Sequence, residues 1–199
     1  TLMPTIESGA GIPYVAEVDA DLRLHTNAET ETAEVGHTRA GWAHNINTGD
    51  ITVTNATKLT LLYFENTGTK DIVISSVIYL TGNSTNGTAA TDFLYTAILN
   101  STAGDIITNA NAVGMETNRR AGDDKTLTAN AYKGAVGETA VSGGTDLFGT
   151  RLSGSGRTAV PISVVLPKGQ NIAIDFTAKT SNTNVIVQVA MAVFEQNFA

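Results

Sequence analysis

The chain has 199 residues, 42% of them hydrophobic and 6% aromatic, with 19 glycines, no cysteine and a formal net charge of −7 at pH 7. A chain of this length buries about two-thirds of its unfolded surface without a metal or a disulfide, and the lack of cysteine excludes a disulfide framework, thiolate metal sites and thiol nucleophiles. The acidic balance repels polyanions, since nucleic-acid binding is driven by cationic side chains that release counterions from phosphates, so nucleic acid is not an expected partner.

No apolar run approaches the roughly 20 residues of a membrane span, and residues 1–30 carry no basic start followed by an apolar stretch. The chain therefore reads as soluble, without an export signal or a membrane partner, made and assembled in a cytosol. Residues 1–48 form an N-terminal arm or edge ribbon. Glu7, Glu17, Asp19, Asp21, Glu29, Glu31 and Glu34 are scattered among short apolar pieces too thin to make a core of their own. Isolated groups such as Leu2, Ile6, Ile12 and Tyr14 gain burial only against a neighbour, so with Trp42 they are the candidate partner-interface residues.

From residue 49 to 199 the pattern predicts a β-sandwich. Ile51-Thr52-Val53-Thr54 alternates, Lys58–Glu65 is a β-branched and aromatic run, and Asn66-Thr67-Gly68 after it reads as a hairpin turn. In the next run, Asp71–Leu80, Ile72 and Ile74 share a face opposite Val73, and Ser75-Ser76 breaks the alternation as a bulge would. Asp92–Leu99 resumes strand composition after a Gly/Asn/Ser/Thr loop. Residues 104–157 are rich in Gly, Ala, Asn and Asp and read as a long irregular loop region, the kind of segment that carries a contact surface.

The last third is the clearest. Val160, Ile162, Val164 and Leu166 share one parity, Pro167-Lys168-Gly169-Gln170 turns, and Ile172, Ile174 and Phe176 alternate again. Val185, Val187, Val189, Met191 and Val193 then mark one face of a long last strand of about 30 Å. Its other face, with Gln188, Ala190 and Ala192, is small enough for another sheet or subunit to pack on it closely. Helical periodicity is missing over any stretch of ten residues, and no repeat is present. The expected fold is all-β, an antiparallel β-sandwich with jelly-roll connectivity and an extended N-terminal arm, its core filled mainly by Val, Ile, Leu and Ala.

Catalytic chemistry finds little purchase. His25, His37 and His44 match no zinc motif, Gly154-Ser155-Gly156 is not a nucleophile elbow, and no phosphate-binding glycine loop occurs. Arg119-Arg120 is countered by Asp123 and Asp124. Asp175 lies between Ile174 and Phe176 and is expected on the solvent side of a half-buried strand, while Asp92 and Asp146 read as residues at strand starts. Asn55, Asn83, Asn86 and Asn100 match the glycosylation pattern, as an Asn- and Thr-rich chain does by chance. No cofactor, metal or catalytic residue is assigned, and the chain is not expected to be an enzyme.

The acidic arm, the Thr/Asn/Gly-rich loops and the segment VPISVVLPKGQNIAIDF leading into NVIVQVAMAVFEQ resemble tailed-phage virion proteins, in particular jelly-roll capsid decoration or cement proteins. The resemblance covers residues 51–80 and 159–196. It implies a non-enzymatic homotrimer on the capsid surface of a bacteriophage virion, made in the host cytoplasm, that locks major capsid proteins together. The other reading is a carbohydrate-binding or adhesive β-sandwich module, for which Trp42, Tyr95, Tyr132 and Phe148 are the available aromatics.

Replacing Val189 by Asp tests the assigned core face. An unpaired charge there costs several kcal/mol from a total of about 5 to 15, so Val189→Asp is expected to be recovered unfolded or insoluble. A soluble variant with an unchanged melting temperature reverses the face assignment.

Overall fold

Period-two alternation from Ile51 onward becomes strand wherever the sequence carries it, and the pairing of those strands is what the sequence leaves open. The structure is a computed structural model that describes residues 5–7, 13–15, 32–53, 58–82, 92–108, 116–178 and 185–196. Its contacts divide the chain into two units, Thr1–Thr32 and Ala33–Ala199. In the first, β1 (Thr5–Glu7) and β2 (Pro13–Val15) pair antiparallel with Ile6 opposite Tyr14. Leu2, Ile12 and His25 lie outside the described residues.

The second unit is a sandwich of two antiparallel sheets. It opens with a short helix, α1 (Ala33–Arg39), followed by β3 (Ala43–Asn47), β4 (Ile51–Val53), β5 (Leu59–Asn66), β6 (Asp71–Thr81) and β7 (Phe93–Leu99). Then come α2 (Asp105–Thr108), β8 (Glu116–Asn118), β9 (Ala129–Lys133), β10 (Thr145–Leu152), β11 (Gly156–Leu166), β12 (Asn171–Ala178) and β13 (Val185–Gln196). One sheet runs β11-β6-β13-β3-β8, with β4 also paired to β13, and the other runs β10-β7-β12-β5-β9.

The chain crosses between sheets at almost every turn. It passes from β3 and β4 to β5, back to β6, over to β7, and later from β10 to β11, β12 and β13. The eight framework strands thus stand in the orders β3-β13-β6-β11 and β5-β12-β7-β10, which is the jelly roll, two Greek keys wrapped into one sandwich. Strands β8 and β9 extend the edges of the two sheets.

Three expectations change. Asn66-Thr67-Gly68 is not a hairpin turn, because β5 and β6 belong to different sheets and the turn is a corner of the sandwich. The region 104–157 holds α2, β8, β9 and β10; its strands are edge strands, mostly half-buried or exposed, and so carry a weak apolar signal. The compact unit begins at Ala33 rather than after residue 48, since β3 pairs with β13 and Ala43 and Ile46 are buried. The bulge does fall at the serines: Ser76 pairs with Ala192 and Ile74 with Val193, which leaves Ser75 extra.

Val185, Val187, Val189, Met191 and Val193 are all buried in the inter-sheet core, as their parity predicts. The aromatics are few, but they concentrate in the same place. Tyr79 packs 4.5 Å from Tyr95, which meets Phe176 edge-on at 5.2 Å, and Phe93 lies 5.5 Å from Phe176. Burial pushes the Tyr95 phenol up to about 12, and its hydroxyl is matched with the Thr81 hydroxyl at 3.1 Å.

Two corners are joined by one buried side chain. The Asn66 amide donates to the carbonyls of Lys70 (2.8 Å) and Leu166 (2.7 Å), and its oxygen accepts from the Gly68 N–H (2.9 Å). The Gly169 N–H in turn donates to the Asn66 carbonyl at 2.7 Å. The corner after β5 and the Pro167–Gln170 corner after β11 therefore share a hub. Asn66→Ala leaves these groups without their partner in a site where water enters poorly. We expect it to lower stability by about 2 to 4 kcal/mol, read as a lower urea midpoint at unchanged slope.

Candidate interaction surface

The two outer faces of the sandwich are treated differently by the chain. On the β5–β12–β7 sheet, the outward residues Tyr63, Ile98 and Ala173 are covered by Ile106 of α2 and by Val141. The loop after β9 can press down there because residue 134 is glycine: a Cβ at that position would lie 1.7 Å from the Thr60 carbonyl oxygen. Val141 is then tied in place by its N–H, which donates to the Thr60 hydroxyl at 2.8 Å.

Asp175 is sealed under the same cover. It is 1% exposed, not on a solvent face, because its strand is central in the sheet and its neighbour Thr60 is itself roofed over. The Thr60 hydroxyl donates to Oδ1 at 2.6 Å. The Lys58 ammonium lies 2.7 Å from Oδ2. Burial raises the Asp175 carboxyl above the ordinary carboxylate range, and the bonds from Lys58 and Thr60 oppose that only in part. Lys58 is half-exposed, which screens its charge. It also lines a cleft of about 390 Å³ with Val53, Glu138 and Thr139.

The other residues singled out by sequence are occupied structurally. His37 stacks on Phe194 at 4.7 Å, and burial together with the Lys70 charge lowers its pKa. His44 is buried on the core-facing side of β3. No group of three or more His, Asp or Glu that could hold a metal occurs among the described residues. Trp42 is half-buried, with Lys70 Nζ 3.5 Å and Lys125 Nζ 4.8 Å from its ring centroid. Its backbone bonds to His37 and Glu195 join α1 to the end of β13, and Lys70 also pairs with Glu195 at 3.0 Å. Asn100 takes a left-handed backbone (φ 56°) and accepts from the Asn171 N–H. Asn55, Asn83 and Asn86 lie outside the described residues.

Among the described residues of the second unit, the opposite outer face, on β11-β6-β13-β3, is open over most of its length. At one end α1 covers Phe194, Val73 and Ala43. Beyond it, Ile78, Leu80, Ala190 and Ala192 are half-buried, Val165 is 42% exposed, and a depression of about 190 Å³ lies at the far end. That depression is lined by Asn47, Ile78, Leu80, Arg157, Gln188 and Ala190, all outward in the register. Sequence parity revealed the β13 side of this surface. It could not reveal that β6 and β11 lie beside it.

No protein-family model matches the chain, and no curated protein matches it. Among solved structures, the infectious bursal disease virus VP2 subviral particle aligns over 77% of this chain and 41% of its own, at 10% identity and a TM-score of 0.16. The Gt strain of the same virus aligns at 11% identity and a TM-score of 0.13, over 77% of this chain and 40% of that one. The chain spans about two-fifths of the length of these viral proteins. Likeness of this degree carries no argument, and the jelly roll rests on its own strand order.

The Asp175 carboxyl makes a pH prediction. Its folded pKa is raised, so between the unfolded value and the raised one the native state binds more protons, and stability falls as pH rises through that window. Asn keeps an acceptor for Thr60 and removes the charge. Asp175→Asn is expected to melt higher than the parent at neutral pH, and the gap is expected to shrink as the pH drops below the raised pKa. A gap that does not change with pH would mean that the carboxyl is not perturbed.

Proposed function

We propose that this chain is a non-enzymatic structural subunit of a virus particle, a decoration or cement protein that stabilises the capsid by bridging major capsid proteins. The observation that carries this reading is the asymmetry of the sandwich: among the described residues, one outer sheet face is covered by the chain's own loop, and the other is left broad, almost uncharged and lined by small polar and medium apolar side chains. Jelly rolls serve as capsid, lectin and cupin domains alike, so the surface and not the fold has to decide. Work of this kind needs area. Specific interfaces bury about 1,000 Å² or more, and a broad sheet face with an apolar-studded arm is the kind of surface that can meet that need.

Catalysis is disfavoured by what the polar groups already do. Asp175 is held by Thr60 and Lys58 beneath a cover, and His37 is stacked on Phe194. The sugar-binding alternative loses its platforms in the same way. Trp42 is overlaid by lysines, Tyr95 is in the core, Tyr132 stacks on Tyr63 at 5.9 Å, and Phe148 packs against the core. The net charge of −7 disfavours nucleic acid, and no described helix is long and apolar enough to cross a membrane. On this reading the protein is made in the host cytoplasm and resides on the capsid surface.

Native mass spectrometry of the full chain, with a glycan array beside it, tests the proposal. A homo-oligomer that ignores glycans is the expected result, and a monomer that binds a glycan overturns it. Deleting residues 1–20 is expected to leave the β spectrum and the thermal transition intact while weakening assembly. Loss of the β spectrum in that truncation would make the arm part of the fold itself.

A further inference from the structure

We infer that residues 135–142 form a proton-sensitive strap over the outer face of β5-β12-β7, held most firmly when the Asp175 carboxyl is protonated and loosened when it ionises. The inference stands apart from the assembly reading, since it concerns the sheet face that the chain covers for itself.

The strap is tied down at few points. Of residues 135–142 only Val141 is buried, and Val136 is 50% exposed. At its start the Gly134 N–H donates to the Leu61 carbonyl at 3.0 Å. At its end Gly143 and Gly144 both take a left-handed backbone (φ 71° and 80°). Between them the Val141 N–H donates to the Thr60 hydroxyl, the Thr139 N–H donates to Asp105 Oδ2 at 2.7 Å, and Ser142 is bridged to Ala103. A segment with one buried apolar anchor and a few hydrogen bonds opens at lower cost than the central strands.

A chain of hydrogen bonds runs from the strap to Asp175. Thr60 Oγ receives the Val141 N–H and donates its own proton to Asp175 Oδ1 at 2.6 Å. This chain does not need the charge, because Oδ1 accepts in either protonation state and the acid proton sits on Oδ2. Protonation then frees Lys58, which is half-exposed and can turn into the cleft it lines. When the carboxyl is ionised, its charge is 1% exposed beside one ammonium that water screens. Lifting Val141 bares Thr60 and lets water reach the carboxylate, which favours the open form far more for the charged group than for the neutral one. Burial raises the Asp175 carboxyl in the closed molecule, and hydration in the open one returns it toward the ordinary value. The closed form thus binds more protons between those two values, and its hold weakens as the pH rises through them.

The charged groups about Asp175 are few among the described residues. Lys58 reaches it from the start of β5, and Asp146 of β10 disfavours its ionisation. Its register neighbours on β5 and β7 are the neutral Thr60 and Thr96. On β9, Lys133 donates to the Asp50 carbonyl, and the Tyr63 phenol, pushed up to about 12, stays neutral. Asp105 and Glu138 act on the strap itself, accepting from the Thr139 and Ala135 N–H groups. A proton on either weakens those bonds, so they work in the opposite sense to Asp175. Opening bares Tyr63, Ile98 and Ala173, so the strap governs whether this sheet presents an apolar face.

Hydrogen–deuterium exchange of the full chain tests this between about pH 4 and 8, read on peptides from 134–142 and from β13 and corrected for the intrinsic pH dependence of exchange. In the parent, protection of the strap amides is expected to fall as the pH rises, by at most about tenfold per pH unit because one proton is involved. Strand β13, whose Val189 N–H donates to Thr48, is expected to keep its protection. In Asp175→Asn the strap's protection is expected no longer to fall with pH. Protection that does not fall in the parent, or that falls equally in Asp175→Asn, overturns the inference, and so does a strap that exchanges only in step with β13. Should Asp175→Asn fail to fold, Lys58→Gln at its half-exposed position decides. It removes the nearest cation and is expected to loosen the strap further at the upper end of the range while leaving the lower end unchanged, and a strap that ignores it overturns the inference.

Discussion

Both sheets are closed by the end of the chain. Strand β12 lies between β7 and β5, and β13 lies between β6 and β3, so neither sheet is continuous until the last two strands are in place. Their partners were made 70 to 150 residues earlier, as in the pairings of Ala190 with Asn47 and of Ile172 with Leu99. Such distant contacts are slow to form, because loop entropy is lost before they reward the chain. The five aligned apolar residues of β13 and the three of β12 are the compensation, and they explain why this part of the sequence has the strongest alternation.

The corners then have to carry what a hairpin would have supplied. In a jelly roll, sequence-adjacent strands sit in opposite sheets and do not share a ladder, so the polar groups at each turn need other partners. Asn66 meets that need at two corners together. Asn171 does the same at the next edge, where its amide group exchanges hydrogen bonds with the backbone N–H and carbonyl of Ser101. Buried amides of this kind locate the corners relative to one another, and the core aromatics then fill the space between the sheets.

The covered and uncovered faces are two outcomes of the same requirement. An outward sheet face with Tyr63, Ile98 and Ala173 must be hidden, and the insertion between β7 and β10 hides it, trapping Asp175 at an electrostatic cost. The other outward face has small and medium residues that tolerate partial exposure, and among the described residues it receives α1. The cation–π contacts of Lys70 and Lys125 with Trp42, whose N–H donates to the His37 carbonyl, hold that helix at one end of the face.

By itself the sequence determined where the long strands run and which side of each faces the core, because both are local properties of a period-two pattern. That holds for β6 with its serine bulge, for β12 and above all for β13. The edge strands β8, β9 and β10 were not legible, since their core-facing positions are only half-buried and hold few large apolar residues. Only the tertiary structure decided that the turn at Asn66 is a corner, that β3 belongs to the sandwich and that Asp175 is roofed over. Each of these depends on which distant strand lies alongside, and pairing across more than a hundred residues leaves no mark in local periodicity. The open outer face is the clearest case: β13 showed one strand of it, and the rest came into being only when β6, β11 and β3 were laid beside it.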